Sequence, residues 1–79
     1  MSFMFEVYYE PPEDSARESK IASCVAKLHG ELTFREPEKP DFNTITLTFE
    51  FTDLDHANDA AIKVRELGEH VEGPVDYGD

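Results

Sequence analysis

Between Thr44 and Phe51 the chain alternates without a break, with Ile45, Leu47, Phe49 and Phe51 at odd positions and Thr44, Thr46, Thr48 and Glu50 at even ones. A helix would scatter these apolar side chains around its axis, whereas a period of two lines them all up on one face of a strand. All but Glu50 and Leu47 are β-branched or aromatic, the types that fit a pleated, half-buried surface. A strand leaves a row of backbone donors and acceptors open on each side, so the rest of the chain must supply its neighbours.

Phe3, Phe5, Val7 and Tyr9 against Met4, Glu6 and Tyr8 repeat the alternation and predict a first strand, which Pro11 and Pro12 stop. Ser15 and Glu18 then have the spacing of a capping box at a helix start. Ile21, Cys24, Val25 and Leu28 make one apolar stripe on that helix, and Gly30 stands where a left-handed terminal residue is wanted. Leu32 and Phe34 alternate with Glu31, Thr33 and Arg35 in a short second strand, followed by the loop EPEKPDFN. After the third strand, Thr52, Asp53 and Asp55 offer caps to a second helix. Its stripe is Leu54, Ala57, Ala60, Ala61, Val64 and Leu67, it ends at Gly68, and Ile62 points away from the stripe. The tail HVEGPVDYGD has Val71, Val75 and Tyr77 in one parity, and Pro74 confines it to an edge.

The order strand, helix, strand, strand, helix, strand is the split βαβ pattern of ferredoxin-like domains. The two most apolar strands belong in the centre and the other two at the edges, which predicts an antiparallel α+β sandwich with sheet order 4-1-3-2 and both helices on one face. With 79 residues the chain is read as one domain over 1–79, its segment 73–79 either a fourth strand or a flexible tail. The opening FMFEVYYEPPEDSARE and the closing GEHVEGPVDYGD resemble those of small bacterial proteins that have a ferredoxin-like fold and no assigned activity. That resemblance implies the fold and brings no functional residue pattern.

Composition narrows the partners. Eighteen acidic residues against seven basic ones leave a net charge of −11, which repels nucleic-acid phosphates and anionic lipid. No apolar run reaches the eighteen or so residues of a membrane helix, and the opening MSFMFEVYYE lacks a basic leader, so a cytoplasmic protein is expected. The single cysteine, Cys24, rules out an internal disulfide. Within an apolar stripe it reads as a buried, inert thiol.

Three constellations could carry chemistry. His29, His56, Asp53 and Asp55 fall at one end of the sheet, where imidazole and carboxylate could meet as a metal site; solvated histidines beside helix ends give the same letters, so no metal is expected. At the other end Glu10, Glu13, Asp14, Glu38, Asp41 and Glu69 would crowd around His70, which exposed charge explains equally well. On the face without helices, Met4, Glu6, Tyr8, Thr33, Arg35, Thr44, Thr46, Thr48, Glu50, His70 and Glu72 are expected. Glu6, Tyr8, Glu50 and His70 among them are the catalytic candidates for proton abstraction. Solvent exposure predicts the same alternation with no site at all. No phosphate loop, no G-x-S-x-G and no C-x-x-C is present.

The reading that follows is a small acidic interaction module without a cofactor. Its partner would be a basic or neutral protein or a second copy, with Tyr8, Phe42 and Ile62 as apolar anchors. The alternative is a small enzyme or ligand carrier with a pocket on the open sheet face.

Overall fold

In a computed structural model, residues 2–37 and 43–76 are described. Six elements follow in order: β1 (Phe3–Tyr9), α1 (Ser15–Ala26), β2 (Glu31–Glu36), β3 (Ile45–Phe51), α2 (Leu54–Glu66) and β4 (His70–Asp76). The strands form one antiparallel sheet in the order β2-β3-β1-β4, the predicted order read from the other edge. This is a ferredoxin-like α+β fold.

The two strict alternations lie side by side in the centre. Phe5 pairs with Phe49 and Val7 with Leu47, so the odd positions of both strands reach the same side. There they join Ile21 and Val25 of α1 and Ala57, Ala60, Ala61 and Val64 of α2 in a single buried cluster, which puts both helices on that face. The Phe5 ring lies 5.8 Å from that of Phe49 and 5.3 Å from that of Phe51. Burying each such side chain contributes about 1.5–3 kcal/mol before the entropy of ordering is counted. Among the described residues, no helix is long and apolar enough to cross a membrane.

Several local readings need correction. The N-cap of α1 is Asp14, whose carboxylate accepts from the Arg17 amide; Ser15 is the first helical residue, and Glu18 turns away toward Arg35. An aspartate caps as well as a serine, so both were available at this helix start. The left-handed residue after α1 is His29, at φ 69°, one position before the glycine. Gly30 is needed for another reason: a Cβ there would sit 2.4 Å from the Phe51 ring. In α2 the expected stripe loses its ends, since Leu54 and Leu67 are exposed. Cys24 is only half-buried.

The largest departures are two bulges. Leu32 pairs with Phe49, but Phe34 pairs with Thr48, so one extra residue in β2 flips everything after it. Phe34, expected inside, therefore stands on the open face, and Arg35, expected outside, stands on the helix side. In β4 the register shifts opposite Met4 and Glu6, where Gly73 takes φ +109° with Met4 O only 3.0 Å from where a Cβ would be. Val75 consequently pairs with Met4 and faces outward rather than inward. Residues 73–76 belong to β4, while Tyr77 lies outside the described residues.

Candidate functional site

The open face can be read row by row from the pairing. One row runs Glu31, Glu50, Met4, Val75; the next Phe34, Thr48, Glu6, Glu72; the third Glu36, Thr46, Tyr8, His70. At its centre Thr46 and Thr48 are only 8% and 9% exposed although no helix covers them. Their neighbours on both flanking strands are long, so the threonines form a floor between taller side chains. Phe34 and Val75, placed at opposite edges by the two bulges, are 58% and 51% exposed. The face carries five glutamates and one histidine, and no lysine or arginine among the described residues.

The four residues singled out for catalysis all lie on this face. Tyr8 donates to the Glu6 carboxylate at 2.7 Å, and the Tyr8 ring lies 5.9 Å from that of His70. His70 Nε2 is 2.8 Å from Glu72, a neighbour the sequence reading gave no role. Glu50 accepts from the Ser2 hydroxyl at 2.7 Å and is diagonal to Glu6 across the β1–β3 ladder. The His70 and Glu72 side chains are 65% and 59% exposed, so water reaches the pair freely. Acid–base machinery gains its strength from a dry, walled setting, and this pair stands in the open.

At the far end of the sheet His29 and His56 do meet, their rings edge to face with centroids 5.0 Å apart. His56 Nδ1 is held 2.8 Å from the Asp53 carboxylate. Asp53 is the N-cap of α2, yet its side chain bonds no backbone amide, because His56 takes it instead. Asp55 is exposed in the first turn of α2. No group of three or more His, Cys, Asp and Glu side chains among the described residues is arranged to hold a metal ion.

The expected crowd of carboxylates around His70 is arranged differently. Glu69 forms a forked pair with Arg17, at 2.9 Å from Nε and 2.8 Å from Nη2. Glu13 and Glu18 share Arg35, whose Nε lies 2.7 Å from Glu18. Tyr9, buried on the helix side, donates its hydroxyl to Glu18 and accepts from the Asp14 amide at 3.0 Å, while the Arg17 guanidinium stacks 4.7 Å above its ring. Arg35 holds the Glu18 carboxyl below its usual range against the opposing effect of burial. Burial, then the bond to Glu18, pushes the Tyr9 phenol up. This joint ties β1, α1 and β2 together through side chains, and α1 to the start of β4. Sequence reasoning missed it, because the β2 bulge alone brings Arg35 to the helix side; two of only three arginines in so acidic a chain were the available signal. Glu10 is exposed, and Glu38 and Asp41 lie outside the described residues.

Of the interaction candidates, Ile62 is 52% exposed on the outer side of α2 and Tyr8 is half-buried on the open face. Phe42 lies outside the described residues. Phe34 and Val75, which the sequence reading assigned to the core, are exposed apolar residues of the open face. No protein-family model matches the chain, and no curated protein does.

Proposed function

We propose that the domain is a non-enzymatic interaction module that docks a basic protein segment on the open face of its sheet. The observation that carries this reading is the pair of bulges. Each turns an apolar side chain, Phe34 or Val75, out of the core and onto a face otherwise rimmed with glutamates. A strand following its own alternation would have buried both, so the exposed anchors rest on backbone irregularities of the kind that re-aim side chains. Apolar anchors with a charged rim are the anatomy of a docking site, and the sign of the rim selects a cationic partner.

The same charge weighs against a two-fold dimer through this face, which would set glutamate against glutamate across the axis. The β4 edge is already engaged by α2, since Arg65 donates to the carbonyls of Val71 and Gly73 at 3.2 and 3.1 Å. An external partner is therefore favoured over a second copy.

The test is an NMR titration of the labelled domain with Lys/Arg-rich peptides that carry aromatic or aliphatic side chains. Saturable shifts should fall on Met4, Tyr8, Phe34, Thr48 and Val75. The Phe34→Ser/Val75→Ser variant should keep the spectrum of the core and weaken the peptide by about tenfold, since each anchor carries about 1 kcal/mol or more. Unchanged affinity in that variant removes the docking face. A response to small metabolites confined to Glu6, Tyr8, Glu50 and His70 would replace it with a ligand pocket.

A further inference from the structure

The three arginines are all engaged, Arg17 with Glu69, Arg35 with Glu13 and Glu18, and Arg65 with the β4 carbonyls. The lysines are arranged otherwise. The sequence has four, and the three among the described residues, Lys20, Lys27 and Lys63, all line one cavity of about 470 Å³ between α1 and α2. None of the three forms an ion pair or hydrogen bond among the described residues. In a chain with more than two acidic residues for each basic one, one cleft is lined by three ammonium groups that no carboxylate pairs among the described residues.

The cleft has an apolar floor. Leu28, Leu67 and the half-buried Cys24 of α1 line it. Lys20 and Cys24, four apart on α1, line the cleft with Lys27 at the C-cap of that helix and Leu28 in the turn after it, opposite Lys63 on α2 and Leu67 at the C-cap of α2. From Lys20 to the C-cap Lys27 the wall is about 10 Å long at the helical rise of 1.5 Å per residue. Space for the cleft comes from α2, whose inward residues Ala57, Ala60, Ala61 and Val64 are small and leave the helix shoulders uncovered. Lysine stems can lie along such a floor while their ammonium groups stay in water, ready to meet an anion.

We propose that this cleft binds an anionic amphiphile, a single acyl chain of medium length with a carboxylate head. The chain lies along the floor, and the lysines spread along both walls draw in the carboxylate by their summed charge. The volume falls within the range of small-molecule sites, roughly 300–1,000 Å³, and the few polar groups stand at the rim, where they orient a ligand without being desolvated. Net negative charge elsewhere on the domain disfavours an anionic membrane as the source, so the ligand is the free amphiphile. The site is on the opposite side of the molecule from the open sheet face and stands or falls independently of the docking reading.

The probe is decanoate, kept below its micelle concentration and titrated into the ¹⁵N-labelled domain, with decyltrimethylammonium as the charge-reversed control. Decanoate should give saturable shifts at Ser23, Cys24, Leu28 and Leu67, and the cation should bind more weakly by about tenfold or more. Octanoate, which buries two methylenes fewer, should bind about tenfold more weakly than decanoate. Lys20→Gln/Lys27→Gln/Lys63→Gln, at exposed positions, should preserve the core spectrum and reduce the preference for carboxylate over ammonium by about tenfold. Should that variant fail to fold, Ser23→Trp, which fills the mouth of the cleft, should abolish the shifts. Equal binding of anion and cation, shifts on the sheet face instead of the cleft, or a response to acidic peptides or anionic vesicles but not to decanoate would each overturn the assignment.

Discussion

At Gly30 and His29 two adjacent residues divide a task that the sequence assigned to one. The glycine after α1 was expected to take the left-handed conformation, but His29 takes it, and the glycine is kept because the Phe51 ring and Val25 occupy the space a Cβ would need. A non-glycine residue in that conformation costs roughly 1–2 kcal/mol, whereas a side chain forced into a filled core costs roughly 1–3 kcal/mol. The two substitutions should therefore act in opposite directions. Gly30→Ala should destabilise by about 1–3 kcal/mol, and His29→Gly should stabilise by up to about 1 kcal/mol, part of the gain being offset by the lost contact with His56. Urea denaturation of both variants checks this. If Gly30→Ala is neutral and His29→Gly destabilises, the assignment of roles is reversed. A glycine in a sequence announces that a side chain is unwelcome; whether dihedral or neighbour forbids it depends on contacts from distant residues such as Phe51.

The elements were legible where one periodicity ran unbroken, and illegible where a bulge interrupted it. β1 and β3 were readable because every inward position of each is apolar and every pairing between them is in step. β2 and β4 were readable as strands but not as faces, since one inserted residue exchanges the two sides and LTF reads the same with or without it. The exchange moved Phe34 and Val75 to the surface, and brought Arg35 to Glu18. That pair has a consequence for acid stability. Arg35 holds the folded Glu18 carboxyl below its ordinary 4.5, so its stabilisation is complete above that value and is lost as pH falls through the lower, folded one. Glu18→Gln should lower stability at neutral pH and flatten the fall on the acid side of pH 4.5, read as urea midpoints across pH 3–6. An acid limb as steep as wild type's would remove Glu18 from it. In β4, Gly73→Val would place a β-branched side chain at positive φ against Met4 O and Phe5. It should destabilise by about 2 kcal/mol or more and alter the shifts of Val75, the residue the bulge turns outward.

Across the whole molecule the question is whether the excess charge or the paired charge sets the response to salt. Among the described residues the pairs are few: Arg17 with Glu69 and Arg35 with Glu18 are partly shielded, and pairs with one partner in solvent contribute about 1 kcal/mol each. Against them stand eleven uncompensated negative charges on a body whose described residues span 34 × 24 × 16 Å. At about 0.1 M salt the screening length is about 10 Å and hides most charges from one another; at about 0.01 M it is about 30 Å, comparable with the length of the molecule. Lowering salt should strengthen the arginine pairs slightly and the overall repulsion much more, because the repulsion sums over many distant carboxylates that only then interact. The melting temperature should therefore fall by a few degrees between about 0.1 M and about 0.01 M salt, since 1 kcal/mol corresponds to about 4–8 °C in a domain of this size. Neutralising the glutamates of the open face, as Glu6→Gln/Glu31→Gln/Glu50→Gln/Glu72→Gln, should remove a large part of that fall and, in the same protein, the salt-sensitive part of the association rate with a basic peptide. A melting temperature that rises on dilution of salt would mean that the pairs outweigh the net charge. The acidity would then stabilise the fold through local contacts, and the case for a surface shaped by its partner would lose its electrostatic half.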